Sequence, residues 1–149
     1  MTAGDHVRLT KRAPHPTDSN HIGLVAHTDF GSITILFNWL GGLQIKSKSP
    51  PNLGEWEYVK PLAGHAICNL GDAMVKFTSG ELKSAKHRVV PAPGEQATVD
   101  RYSLVYFMRP ADETKLKAVY GSEVGKETEV FTAKEWIGRR VIELQGGKK

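Results

Sequence analysis

The chain has a single cysteine, Cys68, in 149 residues. One thiol excludes an internal disulfide and fits a reducing, cytoplasmic compartment. Within Ala66-Ile67-Cys68-Asn69-Leu70 it reads as a small buried side chain with no activating neighbour in sequence. No apolar run approaches the roughly 18 residues that a membrane-spanning helix needs, and the N-terminus lacks the apolar stretch of a secretory signal. An excess of one charge is lacking as well. Twenty Lys and Arg face 16 Asp and Glu, a net charge of +4. The basic residues form no stripe interleaved with aromatics, so neither nucleic acid nor a membrane is an expected partner.

What is present is ordinary globular material, 40% hydrophobic and 24% charged. The length predicts one domain over residues 1–149. His6 to Arg12 alternates polar and apolar residues and predicts a strand. The stretch Ala13 to Asn20 is a Pro- and Asp-containing loop, with His15 and His21 solvated beside it. Further short strands are predicted over Ile22–Ala26, Ile33–Phe37, Leu43–Lys46, Glu55–Val59, His65–Leu70, Met74–Phe77, Lys86–Pro91 and Thr98–Met108. His65 reads as structural, and Asp72 as a turn residue bonding its own backbone. Short strands between Gly- and Pro-rich turns argue for an antiparallel sandwich or barrel.

Beyond Pro110 the pattern changes. Thr132-Ala133-Lys134-Glu135 is a capping box. Trp136, Ile137, Val141 and Leu144 recur at helical spacing before Gly146-Gly147. A helix packed on the outside of a sheet is the simplest reading, and a partner-binding face the alternative.

The stretch that carries chemistry is His27-Thr28-Asp29. In a strand, positions i and i+2 share a face, so an imidazole and a carboxylate project together. A lone His-x-Asp is more often a surface loop, but His87 lies on a second predicted strand. If the two strands meet, His27, Asp29 and His87 form two imidazoles and one carboxylate on one face of a metal, the ligand set of non-haem Fe(II) oxygenases. Arg101 and Ser103 form another i, i+2 pair. A guanidinium beside a hydroxyl suits a carboxylate, because Arg presents a planar fork of donors; a surface salt bridge is the alternative for Arg101.

The flanks make the pattern specific. Gly23 to Leu36, Gly42-Leu43-Gln44-Ile45, Trp56 to Val59, Asn69-Leu70-Gly71-Asp72 with Phe77 to Gly80, Ser84 to Val90, and Arg101 to Phe107 occur in the order of one known family. Together they resemble the isopenicillin N synthase-like Fe(II)/2-oxoglutarate-dependent dioxygenases. The resemblance runs from about Val7 to Pro110. It implies a mainly β, double-stranded β-helix (jelly-roll) core over about 6–110, with a C-terminal helical segment over about 111–149. It implies Fe(II) on His27, Asp29 and His87, and 2-oxoglutarate clamped by Arg101 and Ser103. It implies, with O2 as second co-substrate, hydroxylation or desaturation of a C–H bond in a small organic molecule, in the manner of secondary metabolism, with succinate and CO2 as co-products. Phe30 and Phe107 are candidates for the substrate pocket, with core packing as the alternative for each.

Two features depart from the family. Members are usually about twice as long, with a helical and strand region before the iron domain. A truncated product, a fragment and a short member all fit that difference, and each predicts exposed sheet surface and a tendency to self-associate. The family strand matching Val7 to Pro14 often carries a Tyr and an Asn that help hold 2-oxoglutarate, where this chain has Arg12 and Thr10. Two other functions therefore stay open: an Fe(II) oxidase of the same family that does not use 2-oxoglutarate, and a non-catalytic fragment acting as an interaction module.

Overall fold

Alternating strands that must each bury one face fold here into two sheets. The computed structural model describes residues 4–14, 22–126 and 129–146. Its strands are β1 (His6–Arg12), β2 (Leu24–His27), β3 (Ile33–Asn38), β4 (Leu43–Lys46), β5 (Trp56–Tyr58), β6 (Ile67–Leu70), β7 (His87–Val89) and β8 (Arg101–Met108). Helix α1 spans Asp72–Phe77 and α2 spans Ala133–Gly146. One antiparallel sheet runs β1-β8-β3-β6 and the other β2-β7-β4-β5. The fold is thus mainly β, a jelly roll with a C-terminal helix.

Period-2 alternation decides what each strand gives to the space between the sheets. On β8, Arg101 and Ser103 are buried while Tyr102 between them is exposed. On β1, Thr10 and Arg12 are half-buried against the interior cavity and Arg8 reaches its exposed rim, while Val7 and Leu9 point outward, 58% and 75% exposed. With Phe37, Tyr102 and Met108 they leave an apolar outer face on the first sheet uncovered. Cys68 belongs to that face and is exposed, not buried. It lies on β6, the edge strand, and its apolar neighbours in sequence gave no sign that this side of the sheet is open.

The predicted strand Met74–Phe77 is helical. A four-residue apolar run has too little length for its period to separate strand from helix. Asp72 in the first turn and Lys76 in the last complement the helix dipole. The helix ends on Ser79 at φ 51, with Gly80 N–H donating to the Val75 carbonyl at 2.8 Å and Ser79 N–H to Lys76 at 3.3 Å, a Schellman-type stop. The predicted start of β8 is also shorter than expected, because Gly94–Thr98 forms a 3-10 turn.

The capping box forms as read. Thr132 N–H donates to Glu135 Oε2 at 2.8 Å, and Glu135 N–H to Thr132 Oγ1 at 3.3 Å. The helix does not pack on a sheet face, however. Ala133 and Trp136 join Ala73, Phe77 and Leu116 in a separate small core, so α2 rests on α1. Gly147, the side chain of Leu144, His15 and His21 lie outside the described residues.

Candidate metal centre

Three side chains converge where β2 and β7 pair with His27 opposite His87, Asp29 coming from the turn that follows β2. His27 Nε2 is 3.7 Å from Asp29 Oδ1, and His87 Nε2 is 3.8 Å from the same oxygen. The two rings sit 4.3 Å apart, tilted by 55°. One ligand atom from each of the three lies within 4.8 Å of the others, a spacing that one metal ion can bridge.

The surroundings aim these atoms. His27 Nδ1 is 2.8 Å from the Val25 carbonyl, and His87 Nδ1 is 3.0 Å from that of Ala85. A carbonyl only accepts, so each Nδ1 carries the proton and each Nε2 turns a lone pair to the site. Asp29 is buried, and its Oδ2 accepts from Thr34 Oγ1 at 2.6 Å and Asn69 Nδ2 at 2.7 Å. That leaves Oδ1 for a metal. Neither Thr34 nor Asn69 was legible as a support, since each is brought to Asp29 only by the β3–β6 pairing, in which they are opposite partners.

Behind the candidate ligands, the loop is bound to the start of α1. Asp72 N–H donates to the Asp29 carbonyl at 2.7 Å and Gly71 N–H to Ser32 at 2.9 Å. A Cβ on Gly71 would collide with the Gly31 carbonyl, so only glycine permits this approach. The Asp72 carboxylate accepts from Thr28 Oγ1 at 2.9 Å and Ser84 Oγ at 2.6 Å, and Arg140 Nη2 of α2 lies 3.4 Å from it. Asp72 is therefore a junction tying α2 and the segment before β7 to the residue between two candidate ligands, not a self-contained turn residue. Asp72→Ala should cost about 2–4 kcal/mol, because a partly buried charged acceptor with several donors is lost. Urea unfolding of the metal-free protein checks this, and Arg140→Ala should cost less.

Burial is the main influence on His27 and lowers its pKa; His87 and Arg8 push the same way, against the Val25 carbonyl and Asp29. A lowered pKa means that the folded state releases this proton earlier than the unfolded chain as pH rises. The stability His27 contributes is thus present above about pH 6.5, the ordinary imidazole value, and is lost as pH falls below it. In the metal-free protein the His27 ring should titrate below about 6.5, read from long-range proton–nitrogen NMR.

Arg101 and Ser103 project into the same space. Arg101 Nε donates to the Gly41 carbonyl at 2.8 Å and Nη1 to Ser103 Oγ at 2.7 Å. Gly42, at φ 98, packs where a Cβ would meet the Val90 carbonyl, which fixes the turn that offers Gly41. Arg101 is 7% exposed and, among the described residues, has no carboxylate partner. Its pKa is lowered by burial first and then by Arg12, its register partner on β1.

All five residues line one cavity of about 380 Å³ between the sheets. Phe107 lines it too, with His6 stacked on its ring at 4.8 Å. Phe30 does not: it lies under Arg140, whose guanidinium carbon is 5.2 Å from the ring centre. Asp29 and Phe30 both lie in the turn between β2 and β3, where strand alternation does not set direction. Thr10 and Arg12, the positions that depart from the family pattern, both line the cavity. His65 is exposed and bonded to Ala63, apart from the three convergent groups.

Comparison with known proteins places the chain in a family. The family model described as the 2OG-Fe(II) oxygenase superfamily matches residues 4–110. A 2-oxoglutarate-dependent dioxygenase of Gibberella zeae is 40% identical over 128 residues, covering 85% of this chain and 35% of its own length. One of Amanita muscaria is 40% identical over 135 residues, covering 87% of this chain and 59% of its own. The chain therefore spans roughly a third to three fifths of these relatives. A full-length Neurospora crassa protein, solved in complex with alpha-KG and 5-formyluracil, superposes with a TM-score of 0.80 at 28% identity, over 92% of this chain and 46% of that one. A Caulobacter crescentus protein described as a putative 2OG-Fe(II) oxygenase reaches 0.80 at 31% identity, over 95% and 46%. A match over most of the strand-forming chain, joined to the same fold, makes this protein a member of the 2OG-Fe(II) oxygenase superfamily.

Proposed function

We propose that this chain holds Fe(II) through His27, Asp29 and His87, binds 2-oxoglutarate through Arg101 and Ser103, and oxidises a C–H bond of a small organic substrate with O2. Succinate and CO2 are the co-products. The observation that carries this reading is the buried, acid-free Arg101 in the cavity that also holds the three convergent ligands. A buried cation bonded only to neutral acceptors is costly until an anion arrives, and a dicarboxylate that also chelates the metal fits that need.

The donor set suits the metal. Two neutral imidazoles and one carboxylate bind divalent iron and leave coordination positions for other ligands. Bound there, iron supplies the redox chemistry that couples decarboxylation of the keto acid to oxidation of the substrate. The chain's own residues position it. The Val25 and Ala85 carbonyls hold the imidazole tautomers, and Thr34 and Asn69 hold one carboxylate oxygen so that the other faces the metal. Arg101 and Ser103 orient the co-substrate from the opposite end. Val105, Phe107 and Leu36 contribute apolar wall that keeps bulk water from the reacting centre.

The reading extends to one domain over residues 1–149 in a cytoplasmic setting, without nucleic-acid or membrane partners. No helix among the described residues is long and apolar enough to cross a membrane. Self-association over the outer face of the first sheet is part of it, supported by exposed Val7, Leu9 and Phe37. Secondary metabolism is the setting proposed for its substrate.

The test is anaerobic addition of Fe(II) and then 2-oxoglutarate to the metal-free protein. A visible metal-to-ligand charge-transfer band should form, and admission of O2 should yield succinate. Iron binding without the band would favour the oxidase reading, and no iron binding would sink both.

A further inference from the structure

Both candidate histidines sit where a strand stops. β2 ends at His27 and β7 begins at His87, and the register between the two strands already shifts between Leu24 and His27. The β2–β7 ladder therefore does not reach the segments just outside it, Thr28 and Asp29 after β2 and Ser84 and Ala85 before β7. One segment carries a candidate ligand, and the other carries the carbonyl that aims His87. A group beyond the ladder must fix them relative to each other.

The Asp72 carboxylate spans the two. One oxygen accepts from Thr28 Oγ1 at 2.9 Å and the other from Ser84 Oγ at 2.6 Å. An ionised carboxylate accepts on both oxygens, whose separation is fixed, so it acts as a rigid spacer. On one side, Thr28 stands between His27 and Asp29, and the Asp72 N–H donates to the Asp29 carbonyl at 2.7 Å. On the other, Ser84 precedes Ala85, whose carbonyl holds His87 Nδ1 at 3.0 Å. From α2, Arg140 Nη2 lies 3.4 Å from the Asp72 oxygen that Thr28 uses. Its guanidinium carbon also lies 5.2 Å from the ring centre of Phe30, the residue after Asp29. Thr28, Asp72, Ser84 and Arg140 neither line the cavity nor belong to the triad.

We infer that Asp72 is a positioning residue for the metal centre: through Thr28 and Ser84 it sets His87 against His27 and Asp29, and Arg140 of α2 steadies its carboxylate. The inference rests on the oxygenase reading of the triad. Metal ligands keep their geometry only when the groups behind them are held, so loosening the spacer weakens metal binding without removing a ligand.

The test is anaerobic Fe(II) titration of the full chain, at a temperature where circular dichroism shows each metal-free variant folded. There, a group that serves only the fold leaves iron affinity unmoved. Thr28→Val and Ser84→Ala should each weaken iron binding about fivefold, the scale for residues that act on a site without contacting its ligand. Thr28→Ser, which keeps the hydroxyl, should recover most of the loss seen in Thr28→Val. In an Asp72→Ala background, Thr28→Val and Ser84→Ala should cause no further loss, because both act through one carboxylate. Unchanged affinity in either single variant, no recovery in Thr28→Ser, or a further loss in the Asp72→Ala background would overturn the inference. Should Asp72→Ala not fold, the single variants and the recovery decide alone. The metal-free protein gives an independent reading by NMR. Exchange of the His87 Nδ1 proton with water should be about fivefold faster, or more, in Ser84→Ala. Failure of the wild type to bind iron would sink the oxygenase reading. The proton exchange would then decide the positioning role by itself, and an unchanged rate would overturn it.

Discussion

Asp29→Asn should abolish iron binding while leaving the fold in place. In the wild type, Thr34 Oγ1 and Asn69 Nδ2 both donate to Asp29 Oδ2. Asn69 Nδ2 only donates, so an amide at position 29 must turn its oxygen toward it and its NH2 toward His27 and His87. An NH2 group has no lone pair to offer a metal. The loss should exceed the roughly 10–100-fold expected for Asn69→Ala or Thr34→Val, which remove only an outer partner of the ligand. Anaerobic iron titration ranks the three variants, and a circular dichroism melt shows that Asp29→Asn still folds. Retention of wild-type iron affinity by Asp29→Asn would remove Asp29 from the metal site.

That ranking also separates what the sequence made legible from what it did not. The pairing of Arg101 with Ser103 follows from strand periodicity, because i and i+2 share a face; His27 and Asp29 do converge, but β2 ends at His27 and the turn after it brings Asp29 in. The meeting of His27 and His87 depends on β2 pairing with β7, which no local pattern encodes; the family order of motifs supplied it. Thr34, Asn69 and Arg140 gave no signal, since each reaches the site across a sheet pairing or from a distant helix. The misread element was Met74–Phe77, too short for its period to speak. With it went the docking of α2, which packs on that helix and not on a sheet. Cys68 was misjudged for a related reason: burial of a strand face depends on what covers it, and strand sequence does not report that. Phe30 was placed in the pocket by nearness to Asp29 in sequence, but the turn after β2 takes its ring under Arg140 instead.

Arg101→Met should uncouple co-substrate binding from metal binding. Methionine keeps much of the arginine stem's volume without its charge. Removing one side of a buried charge pair costs about 2–5 kcal/mol, so 2-oxoglutarate should bind about a hundredfold or more weakly. Iron affinity should hardly change, because no triad group is a hydrogen-bond partner of Arg101. Stability should respond differently with and without ligand. In the ligand-free protein the Arg101 charge is buried with only the Gly41 carbonyl and Ser103 as partners. Its removal relieves an uncompensated cation but leaves the Gly41 carbonyl unbonded, two opposing effects that should leave Tm nearly unmoved. Adding 2-oxoglutarate to the iron-loaded proteins should then raise Tm of the wild type and not of Arg101→Met, since only a state that binds ligand is stabilised by it. Paired melts with and without the co-substrate measure this directly. Equal ligand-induced stabilisation in the two proteins would mean that the buried guanidinium serves the fold and not the keto acid.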